Sequence, residues 1–378
     1  MTTIIDVAKK AGVSQGTVSC VLNTRTSAIA ISEKTRQRVL QAAADLGYYR
    51  DEIASAMITG QLSMIGVAVP EVHSEVVGGI LEGILDVAEE FNYFIKVIRI
   101  GKRSGDEIAH LCLQYRLAGI VCSQLPDALV EDIHRGLQPD HVPMVVVDNS
   151  APAPWKIRVL SNDEGGIHQA VEHLKTLGHR HIGCCTYTSR TAWGGRRLQA
   201  FVSAMEALDL DVKPKWIFQD LKIENNFSPV MDHFKDAVSR PASLGSYAGT
   251  SPALTRPRRA SGSCPASPSA LICCDGDYLA MALIRALRGI GLKVPEDISI
   301  IGFADYFVSS LADPPLTTVR QHFWKMGSAA MRRLMAWILD PAKASKNTTL
   351  TEVIPTTLVV RSSTAAPRES SPHNKRKE

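Results

Sequence analysis

The sequence has few of the features that mark a membrane protein, a metalloprotein or an enzyme. Aromatic residues make up 6% of the chain, and no apolar run approaches the roughly 20 residues that cross a bilayer. No basic segment followed by an apolar stretch opens the chain, so we expect no secretory signal. GxGxxG, Walker, GxSxG and zinc-ligand spacings are also missing from the sequence. We therefore expect a cytoplasmic protein with no catalytic residues, no cofactor and no metal ion.

Cysteine occurs eight times but never in a CxxC pair, and reduced thiols are typical of the cytoplasm. The doublets Cys184-Cys185 and Cys273-Cys274 lie in apolar runs that we interpret as buried strands, where neighbouring side chains point to opposite faces. Free cysteines of this kind commonly fill space in a core. A redox switch is the alternative interpretation.

Excess positive charge is also small. The 378 residues carry a net charge of +4, and the first sixty carry 7 − 5 = +2. With 45% apolar residues, the chain is long enough for two or three folding units with sizeable cores. One copy of so weakly basic an N-terminal segment would hold a phosphate backbone weakly, and dimerisation would double its contacts.

The stretch from Thr3 to residue 23 predicts two short helices joined by a tight turn. Thr3 and Asp6 form a capping pair, and Gly12 suits the left-handed backbone that ends the first helix. Ser14 can cap the second helix, whose apolar face is Val18, Val21 and Leu22. An ordinary helical hairpin would share this pattern. However, a third amphipathic helix follows from Ser32 to Gly47, which favours a compact three-helix unit.

Two blocks of this region, DVAKKAGVSQGTVSCVLN and ISEKTRQRVLQAAADLGYY, closely resemble the headpiece of the LacI/GalR family of bacterial transcriptional regulators. The resemblance implies a helix-turn-helix protein that binds a pseudo-palindromic double-stranded DNA operator as a homodimer. It implies that the headpiece residues at the DNA are Ser14, Gln15, Gly16, Thr17, Ser19, Cys20 and Asn23. Cys20 replaces the arginine that most members carry, which removes a strong donor to guanine or phosphate.

Residues 50–62 are expected to link the headpiece, residues 1–49, to the rest of the chain. This segment is too short for a stable isolated helix. The family resemblance implies that it folds on DNA and inserts an apolar side chain into the minor groove, with Met57 as the wedge beside Ala54. Arg50 and Asp51 replace the Pro-Asn pair that is usual at the start of this hinge.

From Met64 onward, short apolar runs alternate with amphipathic stretches, which predicts parallel sheets covered by helices. The blocks HLKTLGHRHIG, CDGDYLAMALIRALRGIGLKVPEDISIIGFAD and IPTTLVVRSST resemble the effector-binding core of the same family. The implied fold is an all-α helix-turn-helix headpiece plus an α/β periplasmic-binding-protein-like core of two doubly wound parallel-sheet subdomains. The helix at about 75–90 has an apolar face, Ile80, Ile84, Val87 and Ala88, that can form part of the dimer interface or pack on the sheet.

The resemblance also implies boundaries within the core at 63–363. The N-subdomain is expected at about 63–160 and 320–344, and the C-subdomain at about 161–319 and 345–363. The three strands that cross between them are expected near Leu160, Val319 and Ser345.

Small-molecule effectors of such a core bind between the subdomains, outside the carboxyl ends of the strands. The residues implied to line that cleft are Asp148, Arg197, Phe227, Asp277, Gln321 and Phe323. Phe227 could act as a stacking platform, although Phe227 and Phe323 could equally be core aromatics, and Asp148 could cap a helix. Ser74-Glu75-Val76-Val77 stands where the family often has Asn-Pro and two aromatics, so one wall of the pocket lacks its rings.

Two segments fall outside this pattern. Residues 241–269 are rich in Ser, Pro, Ala and Gly, which favours a flexible surface insertion; a basic partner-binding loop or a local reading-frame error are the alternatives. Residues 364–378 are expected to be a disordered tail without leucine heptads.

Three classes of function fit parts of the chain. A ligand-responsive DNA-binding regulator, most simply a repressor controlled by a sugar or related metabolite at the nucleoid, explains headpiece, hinge and core together. A transport-type solute-binding protein explains the core alone, and an enzyme lacks a catalytic motif.

Overall fold

The N-terminal unit of the computed structural model is a bundle of three short helices, α1 (Ile4–Ala11), α2 (Gln15–Leu22) and α3 (Glu33–Asp45). The structure describes residues 2–22, 31–48, 63–147, 153, 157–186, 192–221, 227–238, 267–344 and 351–368. Val7, Val18 and Val39, one from each helix, are fully buried against each other. A single small core therefore holds the three helices together.

The predicted caps of this unit are confirmed. Thr3 and Asp6 form a reciprocal capping box, and Gly12 ends α1 at φ 63°. The Ser14 hydroxyl accepts a hydrogen bond from the Thr17 N–H at 3.1 Å, and Ser32 caps α3 in the same way. These local bonds satisfy backbone N–H groups at the starts of the helices, which have no partner within the helix.

The rest of the described chain is built from strands and helices in alternation. The strands are β1 (Met64–Val69), β2 (Phe94–Arg99), β3 (Gly119–Ser123), β4 (Met144–Val147), β5 (Ile157–Ser161), β6 (Ile182–Thr186), β7 (Ile217–Gln219), β8 (Ala270–Cys273), β9 (Ser299–Ala304), β10 (Thr317–Arg320), β11 (Thr351–Ile354) and β12 (Thr357–Val359). The helices are α4 (Glu75–Glu90), α5 (Gly105–Gln114), α6 (Asp127–Leu137), α7 (Asp163–Thr176), α8 (Ala192–Ala207), α9 (Ser228–Val238), α10 (Asp277–Gly289), α11 (Phe307–Leu311), α12 (Phe323–Leu339) and α13 (Pro341–Ala344).

The strands form two six-stranded sheets of the same design. The first has the order β11-β5-β4-β3-β1-β2 and the second the order β12-β10-β9-β8-β6-β7. The pairs of the first sheet are parallel, and in the second sheet β12 runs antiparallel to β10. Alternate strand residues pack under helices on opposite faces, as Val67 and Ala68 do. The expected pair of doubly wound subdomains is confirmed.

The third connection between the sheets differs from the prediction. The first two follow Ser161 and Arg320. The third lies at residues 355–356 rather than near Ser345, because β11 still pairs with β5 in the first sheet. The strand was missed because TEVI is short and only half apolar.

The apolar face of α4 packs inside the first subdomain. Ile80, Ile84, Val87 and Ala88 are at most 2% exposed and contact the core that α12 completes. A Cβ at Gly83 would collide with the backbone of Trp324, so the two helices need glycine to approach this closely. These residues therefore form the core and not a dimer interface.

The end of the chain is also more ordered than expected. Ala365 accepts a hydrogen bond from His179 at 2.8 Å if that ring nitrogen carries its proton, and Arg368 pairs with Asp297 at 2.7 Å. The expectation of a disordered tail from residue 364 is thus wrong for 364–368, which pack on the second subdomain. Residues 369–378 and nearly all of 241–269 lie outside the described residues.

Two thiol pairs lie on opposite faces of the β6–β8 pair, as predicted for the cysteine doublets. The Sγ atoms of Cys184 and Cys274 are 3.4 Å apart, and Cys185 lies opposite Cys273. The hydrogen bond to Cys274 and complete burial raise the pKa of the Cys184 thiol. The Cys184 thiol therefore remains protonated, which favours packing over redox chemistry at this pair.

Among the described helices, none is long and apolar enough to cross a membrane.

Candidate functional site

The exposed face of α2 carries small polar side chains and no charge. Gln15 and Gly16 are exposed, and Thr17, Ser19 and Cys20 are half-buried. Val18 and Val21 face inward, which turns the other face of the helix toward solvent. A polar helix face of this size fits a major groove and can hydrogen-bond base edges.

Lysines of the headpiece differ in how far they are committed to other contacts. Lys10 pairs with Asp45 at 2.9 Å, and its bond, with that of Gln41, lowers the pKa of the Asp45 carboxyl. Lys9 and Lys34 are exposed, so they are available for phosphate oxygens. The predicted DNA contacts Asn23, Ala54 and Met57 lie outside the described residues.

Arg197 lies on α8 where the second sheet faces the first, and it is almost completely buried, with 5% exposed. Its Nε donates to Asp163 Oδ2 at 2.9 Å, and its Nη1 donates to the carbonyl of Cys274 at 2.7 Å. The guanidinium also stacks over the ring of Phe303 at 3.9 Å. The predicted clamping arginine is therefore fully engaged by the protein itself.

Arg197 ties together two of the three connections between the subdomains. Asp163 follows the crossing after β5, and Gln321 follows the crossing after β10. Gln321 Nε2 donates to Asp163 Oδ1 at 3.2 Å, while its Oε1 accepts from Arg197 at 3.4 Å. This buried network fixes the hinge, because a shift of either crossing strand would break a charge-assisted bond.

Asp277, the predicted acceptor for effector groups, is completely buried at the start of α10. Its carboxylate accepts from the Tyr306 N–H at 2.8 Å and from the Ser309 hydroxyl at 2.7 Å, and also from Thr318. Burial raises the pKa of this carboxyl, against the opposing effect of those three bonds. Asp277 thus holds the turn before α11 and β10 rather than facing open space.

The two predicted aromatic residues both pack against other side chains of the protein. Phe227 is 8% exposed and packs in the apolar cluster with Phe218, Val230 and Phe234, so it belongs to the core and is not a stacking platform. Phe323 opens α12 and stacks on Tyr306 with ring centroids 6.5 Å apart. Asp148 lies outside the described residues.

Ser123 and Ser161 are polar residues of the cleft that the sequence reasoning missed. They are the last residues of β3 and β5, at the carboxyl edge of the first sheet. Both are nearly buried, at 0% and 6% exposed, and their hydroxyl groups have no hydrogen-bond partner among the residues that the structure describes. The signal in the sequence was a serine directly after an apolar strand.

Two protein families match this chain. Residues 3–51 match the bacterial regulatory proteins of the lacI family, and residues 171–364 match the periplasmic binding protein-like domain. The regulator MalR of Streptomyces coelicolor is 30% identical over 97% of this chain and 97% of its own length. The regulator DegA of Bacillus subtilis is 29% identical over 96% of this chain and 98% of its own length.

Solved structures show the same architecture. The lac repressor dimer, bound to operator and the anti-inducer ONPF, matches with a TM-score of 0.73 and 25% identity, covering 97% of this chain and 99% of that chain. The regulator CelR in complex with cellobiose shares the fold at a TM-score of 0.63 and 23% identity, covering 96% of this chain and 100% of that chain. Headpiece, core and their order thus agree along nearly the whole sequence. The chain belongs to the LacI family of bacterial regulatory proteins and is a DNA-binding transcriptional regulator rather than an enzyme.

Proposed function

We propose that the protein is a homodimeric repressor that binds a pseudo-palindromic operator and is controlled by a sugar-like, polyhydroxylated effector. The observation that carries the proposal is an uncharged α2 face together with a two-sheet core in which Glu75, after β1, contacts Tyr278 and Phe307, after β8 and β9. The similar lac repressor binds operator as a dimer together with a small ligand. This regulator acts in the cytoplasm, at the nucleoid.

The effector class follows from the polar groups at the cleft. The hydroxyls of Ser123 and Ser161 lack partners, and a buried polar group without a partner is costly unless a ligand satisfies it. Phe227 is packed in the core and the Phe323 ring stacks on Tyr306, which leaves little aromatic surface for a flat heterocycle. A ligand that carries hydroxyl groups can hydrogen-bond both serines, and it does not need an aromatic ring to stack on.

The dimer interface is proposed at the β2 edge of the first sheet. Leu85 of α4 is 47% exposed and Val97 of β2 is 40% exposed. Both lie on the α4 side of the sheet, since Ile95, two residues before Val97, packs in the α4 core. Exposed apolar side chains on an edge strand need a cover, and a second copy provides one with two-fold symmetry.

Sedimentation tests this interface. Val97→Glu should convert the dimer to a monomer, because it places a charge in the apolar contact. Leu339→Glu is the matched control, since Leu339 is also exposed but lies at the end of α12. A Val97→Glu dimer as tight as the unaltered one would move the interface elsewhere.

Selection from a pool of random duplexes tests the operator proposal. The enriched sequence should have two-fold symmetry, and its affinity should change when a sugar from a panel is added. Met57→Lys should weaken operator binding and strengthen binding to random duplex, because lysine loses the apolar wedge and gains attraction to phosphate. Enrichment of no common sequence would refute the regulator as proposed.

A further inference from the structure

Glu75, the first residue of α4, reaches from the first subdomain to the second. Its Oε1 accepts a hydrogen bond from the Tyr278 hydroxyl at 3.1 Å, and its Oε2 accepts one from the Phe307 N–H at 2.9 Å. Tyr278 lies on α10 and Phe307 begins α11, and both helices belong to the second subdomain. One carboxylate therefore bonds across the cleft with both oxygens.

The Glu75 carboxylate is a suitable acceptor for both of its donors, the Tyr278 hydroxyl and the Phe307 N–H. The Phe307 N–H is the first of α11 and has no partner within that helix, so a carboxylate is a favourable acceptor for it. The hydrogen bond to Glu75 adds to burial in raising the pKa of the Tyr278 hydroxyl, which keeps that hydroxyl protonated and able to donate. The nearest acid of the same helix, Glu82, is exposed.

A second contact crosses the cleft beside Glu75. Tyr306 comes from the second subdomain, but its ring packs against the core of the first, 6.5 Å from the ring of Phe323. The centroid of the Tyr278 ring lies 5.1 Å from that of the Tyr306 ring. Asp277 accepts from the Tyr306 N–H and from the Ser309 hydroxyl, so this carboxylate fixes the turn that Glu75 contacts.

We propose that Glu75 and Tyr306 form a latch that holds the two subdomains together in the absence of effector. The three crossing segments fix the subdomains at the hinge, and the latch adds a second set of contacts at the start of α4. With both in place, the cleft cannot change its width until the Glu75 bonds break. An effector then acts by breaking or stabilising the latch, which rests on the proposed effector-binding function of the cleft.

Hydrogen exchange of the ligand-free, full-length protein tests the latch. In Glu75→Ala, exchange across residues 305–311 should become about tenfold faster, because the Phe307 amide loses its acceptor. Exchange at 120–125, at the carboxyl end of β3 in the first subdomain, should also increase, because the cleft above this strand end opens more often. Glu82→Ala removes the same charge from the same helix and should change neither segment.

Each result decides the proposal. Unchanged exchange at 305–311 would show that the bond does not persist in solution. Faster exchange at 305–311 alone would show a local contact that does not hold the cleft, and this too would overturn the latch. Tyr278→Phe removes only the hydroxyl donor and should raise both rates by a smaller factor, so the test survives if Glu75→Ala fails to fold.

A double variant provides an independent check. If both bonds belong to one latch, Tyr278→Phe should have little further effect in the Glu75→Ala background, whereas additive effects would contradict a shared latch. These measurements use no DNA and no effector. A failed latch with intact operator binding would therefore leave the proposed function in place.

Discussion

The two sheets have the same strand order, but their facing edges differ in chemistry. At the edge of the first sheet, the Ser123 and Ser161 hydroxyls have no partner. At the edge of the second, Arg197 and Asp277 are saturated by bonds from the protein. The residues that match family motifs thus hold the cleft in shape, while the unmatched serines offer open bonding capacity. We call the side with Arg197 and Asp277 the rigid wall, because its polar groups already bond to the protein. The side with Ser123 and Ser161 has hydroxyl groups that a ligand could bond.

Among substitutions at the two walls, Arg197→Met should lower the free energy of unfolding most. Removing the guanidinium leaves the Asp163 carboxylate buried without its main partner, which costs about 3–5 kcal/mol of unfolding free energy. Urea denaturation of the core measures the loss. An unaltered midpoint would show that Arg197 is not part of the rigid wall.

Arg196→Met is the matched control for this change. It removes the same charge from the neighbouring position, but the Arg196 side chain is 30% exposed and lies 3.9 Å from Asp163. Pairs of this kind contribute up to about 1 kcal/mol. A loss as large as that of Arg197→Met would show that charge, rather than buried geometry, matters.

Asp277, on the rigid wall, should make the stability of the protein depend on pH. Burial raises its folded pKa above the ordinary value of 3.8, so protonation favours the folded state. That contribution is fully present below about pH 3.8 and is lost as the pH rises through the folded pKa, by about 1.4 kcal/mol for each pH unit between the two pKa values.

Denaturation of the unaltered protein and of Asp277→Asn from pH 4 to pH 7 measures this effect. The unaltered protein should lose stability relative to the variant across that range, since asparagine does not titrate. Parallel curves for the two proteins would mean that the three hydrogen bonds to Asp277 cancel the cost of its burial.

Ser123→Ala and Ser161→Ala should have the smallest effect on stability and a selective effect on binding. Removing a buried hydroxyl that has no described partner should leave the ligand-free protein at least as stable as before, but effector affinity should fall by about 0.5–1.5 kcal/mol, up to roughly tenfold. Titration calorimetry with a sugar that shifts operator binding measures the change. Thr318→Ala, on the opposite wall, should lower stability and leave effector affinity nearly unchanged, because it removes a bond to Asp277.

Local features of the fold could be predicted from the sequence because neighbouring residues decide them. The Thr3–Asp6 capping box, the Gly12 turn and the bounds of α4 depend on side chains within one helical turn. The third crossing could not be located, because β11 is held in the first sheet by pairing with β5 and not by its own apolar content.

The site was predictable in position but not in role. Arg197 and Asp277 were found by their motifs, yet only the packed structure shows that Asp163 and the turn at Tyr306 already occupy them. Glu75 was noticed only as part of the segment 74–77, which lacks the two aromatic residues of the family. Its bonds to Tyr278 and Phe307 join residues that are 203 and 232 positions apart, a separation that no local pattern encodes.

The late arrival of β11 and α12 has a consequence during synthesis. As the chain emerges from the ribosome, β1 to β5 are complete by residue 161, but the β5 edge stays open until residue 354 appears. The helix that packs against α4 begins only at Phe323, so the part of the apolar face of α4 that α12 covers stays open for the time that more than 150 residues take to be made. At about 5–20 residues per second, that interval is on the order of ten seconds or more. Until β11 and α12 are made, the nascent first subdomain therefore presents an open strand edge and uncovered apolar surface, the two features that favour aggregation.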